Sequence, residues 1–231
     1  NYTYYYVKDA LDNSQIDVAV LEIYGMFYEE DDSGFTSEGV RDSSLNDFRY
    51  SDIKTEAIRD CVPDELQKEY FFPLDKYHTR WEDLEYSSLS GLKESLINRY
   101  YEEDGRGFKH WSGAQECGYA SWDTIFSEKR RDVFKGNLEY LERIYKECKT
   151  HGTRLILIKA PFPCYERTVE MTNTVMDWAD EHDVELINCM KVTDVIGLDF
   201  GVDSLDGGTH LNESGGRKVS RYIAEYLKSI M

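Results

Sequence analysis

Two apolar periodicities alternate along this chain. The β-branched run at residues 16–25, Ile16-Asp-Val-Ala-Val-Leu-Glu-Ile-Tyr-Gly25, predicts a strand buried in a parallel sheet and ended by glycine. A second such run occupies residues 153–160, where Leu155 to Ile158 are all apolar and Pro161 and Pro163 forbid continuation. Residues 184–188 predict a third, shorter strand. Between them the period changes to that of a helix. From Ser127 onward, Phe134, Leu138, Leu141, Tyr145 and Cys148 recur every three or four positions, so one face of a long helix is apolar, and Gly152 sits where such a helix stops.

Further helices are predicted over residues 2–14, 165–182 and 213–230, the last presenting Val219, Ile223, Tyr226, Leu227 and Ile230 on one side, with Asn212 or Ser214 to cap it. Strands alternating with helices predict an α/β fold with a parallel sheet. Residues 30–50 are polar and contain glycine, and read as an excursion from the sheet; residues 51–103 read as an inserted helical layer starting at Ser51 and again at Pro63. Residues 104–113 carry three glycines and predict a loop, either a surface connection or a lip over a pocket.

Composition narrows the classes of function. A length of 231 residues accommodates one domain spanning 1–231, with 51–103 as its insertion. The 27 basic and 45 acidic residues leave a net charge of −18, which repels polyanions, so nucleic acid is not expected as a partner. No apolar run reaches the length of a membrane span. The five cysteines form no C-x-x-C pair, so neither a zinc knuckle nor a disulfide framework is expected, and no metal or organic cofactor is implied. The chain opens on Asn1 without the pattern of a signal peptide, which suggests a start inside a longer gene product.

In open parallel sheets the functional groups gather beyond the carboxyl ends of the strands. His210 falls in such a region, just before the last helix, with Asp206 and Asp203 close behind it. A neutral imidazole accepts the proton of a nucleophilic hydroxyl, and a carboxylate on its other nitrogen fixes the tautomer. Asp206 is the first choice for that orienting role and Asp203 the second.

The segment Asp203-x-x-Asp206-Gly-Gly-Thr-His210-Leu-Asn212-x-x-Gly215-x-x-Lys218, running into an apolar helix, resembles the last conserved block of the SGNH/GDSL hydrolase superfamily, in particular its bacterial cell-envelope branch. Lys76-Tyr-His78-Thr-Arg80-Trp81 and Ile158-Lys-Ala-Pro161 extend the resemblance over most of the chain. It implies a three-layer α/β/α sandwich of SGNH type, flavodoxin-like and N-terminally truncated. It also implies a serine-dependent esterase or O-acyltransferase acting on carbohydrate-linked esters, with His210 as general base. The superfamily's Gly-x-Ser nucleophile block follows its first strand, and these 231 residues contain no Gly-x-Ser; Ser33 follows the wrong strand, inside an acidic run.

Tyr24 stands where the superfamily's oxyanion loop follows its middle strand. His78, Arg80 and Trp81 would line the pocket, Arg80 suiting an anionic group and Trp81 a sugar face, or else form a structural cluster. Lys159 either lines the pocket or snorkels from the end of its strand. The resemblance implies an extracytoplasmic or membrane-anchored location and a carbohydrate or small acyl-ester substrate. The rival readings are a non-catalytic glycan-binding protein and an assembly module that forms a homodimer through an open sheet edge.

Overall fold

A computed structural model describes residues 1–28, 37–46, 48–73, 111–115, 127–161, 166–207 and 210–230. The chain divides into two compact units, the first formed by residues 1–15 and 30–109, the second by residues 16–29 and 110–231.

Every described element of the first unit is a helix. α1 (Tyr2–Asn13) is capped by the Asn1 side chain, which accepts the Tyr2 N–H at 2.8 Å, and it buries Tyr4, Tyr5 and Leu11. α2 (Glu38–Asn46) lies in the polar stretch that the sequence predicts as an excursion. Only Val40 and Leu45 are apolar in it, too few to display a period, yet Leu45 is buried and anchors the turn. α3 (Asp52–Cys61) starts at the expected cap, with Ser51 Oγ accepting the Lys54 N–H at 3.1 Å, and α4 (Gln67–Phe71) follows a short 3-10 turn at Asp64–Leu66. Buried tyrosines hold these helices together through carboxylates: Tyr5 Oη donates to Asp60 at 2.6 Å and Tyr70 Oη to Asp42 at 2.9 Å. Most of the remainder of segment 51–103, including His78, Arg80 and Trp81, lies outside the described residues.

The second unit carries the sheet. β1 (Val18–Glu22), β2 (Arg154–Lys159) and β3 (Glu185–Asn188) are parallel and lie in the order β1-β2-β3. Register pairs Glu22 with Ile158 and Lys159 with Asn188, so the carboxyl ends of the strands finish side by side. The connections are α5 (Lys135–His151), which packs on β2, and α6 (Glu166–Glu181), which packs on β3. After β3 come a single helical turn, α7 (Thr193–Ile196), and the long α8 (Glu213–Ile230).

Side chains of one strand face alternate sides of a sheet. Ile156, Ile158 and Ile187 form a core with Cys189 and Ile196, covered by Val219, Tyr222, Tyr226, Leu227 and Ile230 of α8. Burial holds the thiols of Cys148 and Cys189 at about 11, where the reactive thiolate is scarce at neutral pH. Iodoacetamide at pH 8 is therefore expected to label the half-exposed Cys61 well before either of them, as peptide mass mapping would record; fast labelling of Cys189 would mean that this core opens.

Two element boundaries differ from the sequence expectation. The helix expected from Ser127 begins at Lys135, because α6 side chains capture the backbone ahead of it. Asn173 Nδ2 donates to the carbonyls of Ser127 and Lys129 at 2.8 and 2.9 Å, and Thr174 Oγ1 donates to that of Arg131 at 2.7 Å, which holds residues 127–131 outside a helix. The first strand stops at Glu22 and turns into a 3-10 segment, Tyr24–Phe27, where the Glu22 carboxylate accepts the Tyr24 N–H. The α5 stop is as expected: Gly152 takes φ +70° and its N–H returns to the carbonyls of Cys148 and Lys149, a conformation a Cβ would strain.

Candidate active site

α8 runs antiparallel to the strands, because Tyr226 near its C-terminus lies close to Glu185 at the start of β3 and Arg154 at the start of β2. Its N-terminus therefore lies towards the carboxyl edge of the sheet. Two short antiparallel segments lead into it. Asn212 N–H donates to the Asp203 carbonyl at 2.9 Å, Ser204 bridges Leu211, and Leu205 N–H donates to the His210 carbonyl at 2.9 Å. This ladder brings Asp206 and His210 together, each at the outer end of its segment.

His210 Nδ1 lies 2.6 Å from Asp206 Oδ2, and the other oxygen, Oδ1, accepts the His210 backbone N–H at 2.8 Å. One carboxylate thus fixes both the backbone and the ring of the same histidine. Since an ionised carboxylate only accepts, the neutral ring carries its hydrogen on Nδ1 and its basic lone pair on Nε2. The His210 side chain is 60% exposed.

Asp203, the second candidate for orienter, is engaged elsewhere. Its carboxylate is 0% exposed and accepts the Asp199 N–H at 2.8 Å and the Lys218 ammonium at 2.6 Å. Burial pushes this carboxyl up, but the bonds from Asp199 and Lys218, the nearby Ser214 hydroxyl and the Lys218 charge outweigh it and hold it below the ordinary aspartate range. Asp203 fixes the loop to α8 and Asp206 faces the imidazole.

The ladder is seated by Asn212 and Gly215. Asn212 Nδ2 donates to the carbonyls of Gly113 and Val202 at 2.9 and 2.7 Å, while its Oδ1 accepts the Gly215 N–H at 3.1 Å and so caps α8. At Gly215 a Cβ would stand 2.6 Å from the Asp203 carbonyl oxygen, too close for any side chain. Periodicity reveals the cap but not the glycine, whose need comes from a contact twelve residues back in the chain.

Of the other expected pocket residues, Lys159 and Tyr24 are described. Lys159 is fully buried, with Nζ donating to the Ala160 carbonyl at 2.9 Å, so it does not snorkel to solvent. Tyr24 is partly exposed and its hydroxyl meets that of Tyr28. Two polar groups beside Lys159 escaped the sequence reading. Glu22 closes the ends of β1 and β2 by accepting the Ala160 N–H at 3.2 Å, and burial raises its carboxyl above the usual range, partly offset by those N–H bonds and by Lys159. Asn188 uses Oδ1 to accept the Met190 N–H, and its buried Nδ2 has no hydrogen-bond partner among the described residues. The ends of all three strands thus carry polar side chains that strand patterning, which tracks apolar residues, passes over.

Among the described residues, no three His, Cys, Asp or Glu side chains gather where they could hold a metal ion, and no helix is long and apolar enough to cross a membrane. A cavity of about 990 Å³ lies at the opposite, amino-terminal edge of the sheet, lined by Tyr145, Lys149, Arg154, His182 and Glu185 among others. Of its charged groups, Arg154 pairs with Glu185 at 3.2 Å, and His182 Nε2 lies 3.0 Å from Glu142. Compared with known proteins, the chain matches no family model, no curated protein and no solved structure.

Proposed function

We propose that this chain belongs to a serine-dependent esterase or O-acyltransferase of the SGNH type, acting on carbohydrate-linked esters of the cell envelope. In this reading the α/β unit is the three-layer sandwich of that superfamily, placed outside the cytoplasm or at an anchored surface. The nucleophilic serine comes from outside these 231 residues. The observation that carries the reading is the 2.6 Å contact between His210 Nδ1 and Asp206, on the loop that precedes the last helix.

The chemistry follows from the tautomer. Nε2 of His210 takes the serine hydroxyl proton as the serine oxygen attacks the ester carbonyl, and Asp206 stabilises the imidazolium without itself becoming protonated. The imidazolium returns that proton to the departing alkoxide, leaving an acyl-serine and a neutral His210. Water or an acceptor hydroxyl then attacks the acyl carbon, giving its proton to Nε2, and the serine leaves with that proton restored. Hydrolysis and transfer differ only in which hydroxyl enters.

The test is hydrolysis of p-nitrophenyl acetate by the natural full-length protein, by its His210→Ala variant and by the 231-residue chain. The full-length protein is expected to be active, and His210→Ala to lose on the order of 10⁴- to 10⁶-fold in kcat. The chain by itself is expected to be inert. A full-length protein that is inert, or that keeps its activity without His210, sinks the catalytic reading. The assembly reading would then take its place. It is favoured by one observation, that β1 lies at one edge of the described sheet, with β2 as its strand neighbour among the described residues.

A further inference from the structure

Trp111 belongs to the segment that the sequence reads as either a surface connection or a lip. Its indole meets the imidazole of His210 edge to face, with ring centroids 5.8 Å apart and planes at 85°. Aromatic pairs prefer this geometry, which constrains the rotation of both rings. Trp111 is 36% exposed, so burial alone does not explain its place.

The backbone around Trp111 is fixed to the same frame that carries the dyad. The Trp111 carbonyl accepts the Glu213 N–H at 2.9 Å, the Gly113 carbonyl accepts Asn212 Nδ2 at 2.9 Å, and Gln115 N–H donates to the Ser204 carbonyl at 3.0 Å. These three bonds join residues 111–115 to both strands of the ladder and to the first turn of α8. A Cβ at position 113 would stand 3.0 Å from Leu205 Cδ1, so the segment lies directly on the ladder. The backbone of Trp111 is thus tied to the same ladder that carries His210.

We infer that Trp111 is a positioning residue for His210. Its ring holds the imidazole in the plane that Asp206 requires and screens that side of the Nδ1 to Asp206 hydrogen bond from water. The His210 side chain is 60% exposed, and any rotation of its ring away from this geometry costs the bond to Asp206 and the aim of Nε2. Asp206 selects the tautomer and Trp111 limits the rotation. The role of this contact in catalysis rests on the reading of His210 as general base; the contact itself does not.

The experiment has two independent readouts, made on the natural full-length protein with Trp111→Ala and Trp111→Phe variants. The first is the solvent exchange rate of the His210 Hδ1 proton, followed by NMR with ¹⁵N-labelled histidine. Trp111→Ala is expected to speed exchange about tenfold or more, and Trp111→Phe, which keeps an aromatic wall, to restore most of the protection. The second is ester hydrolysis. Trp111→Ala is expected to lower kcat about ten- to a hundredfold with KM for p-nitrophenyl acetate little changed, and Trp111→Phe to recover most of it. Unchanged Hδ1 exchange in Trp111→Ala overturns the inference, as does full kcat in that variant of an active enzyme. If exchange responds but the wild-type protein hydrolyses no ester, the general-base reading falls while the hold of Trp111 on His210 stands.

Discussion

Asp206→Asn is expected to lower kcat for ester hydrolysis by about 10⁴-fold, the cost of presenting the wrong tautomer. The asparagine oxygen can still accept the His210 backbone N–H, as Asp206 Oδ1 does at 2.8 Å, so the loop keeps its path. The amide then points its NH₂ at Nδ1, which must become the acceptor. The ring hydrogen moves to Nε2, and the nitrogen that should take the serine proton already carries one. Stability is expected to change by no more than about 0.5 kcal/mol, because the Asp206 side chain is partly exposed. Steady-state kinetics gives the first quantity and ¹⁵N shifts of His210 give the tautomer. A kcat within tenfold of wild type would remove Asp206 from the orienting role.

Lys218→Met is expected to act on stability instead, by about 2–3 kcal/mol, since it removes the ammonium from a carboxylate with no exposure to water. The partial exposure of Lys218 keeps the figure below that of a fully buried pair. The same site gives stability a pH dependence of known sign. The Asp203 carboxyl titrates below its ordinary value in the folded protein. As pH falls past the ordinary aspartate range of about 3.9, the unfolded chain therefore binds the proton first. The contribution of Asp203 is present above that range and is lost as pH falls through the folded value. Urea unfolding of wild type and Asp203→Asn between pH 2 and pH 6 measures it, and the Asn variant is expected to show the flatter acid limb. Equal slopes in the two proteins would mean that Asp203 is not held as an ion by its partners.

The two substitutions separate roles that the sequence leaves together. Asp203 and Asp206 both precede His210, and spacing ranks them without distinguishing their functions. What distinguishes them is the antiparallel ladder. Residues opposite one another in it are 203 with 212 and 204 with 211, so Asp203 faces the start of α8 and Asp206 emerges beside His210. A one-residue change in that pairing would exchange which side chains point inward.

Much of the α/β unit was legible because burial writes itself into local patterns. The runs at 16–25, 153–160 and 184–188 became parallel strands over 18–22, 154–159 and 185–188, the three- and four-residue spacings from Phe134 to Cys148 and from Val219 to Ile230 became helices, the first beginning just after Phe134, and Gly152 stopped it. Asn212 was legible as a cap because capping is a matter of a few bonds within four residues. Each of these signals is local, and a local signal can be read in one dimension.

Tertiary structure decided what depends on distant partners. Residues 127–131 are non-helical because Asn173 and Thr174 of another helix take their carbonyls. Residues 38–46 are helical because Leu45 finds a buried seat, not because their pattern announces it. Gly215 is required by a carbonyl oxygen twelve positions earlier, and Trp111 reaches His210 across ninety-nine positions of sequence. Composition and spacing carry no trace of such meetings, because their energy lies in contacts that exist only once the sheet, the ladder and α8 are assembled.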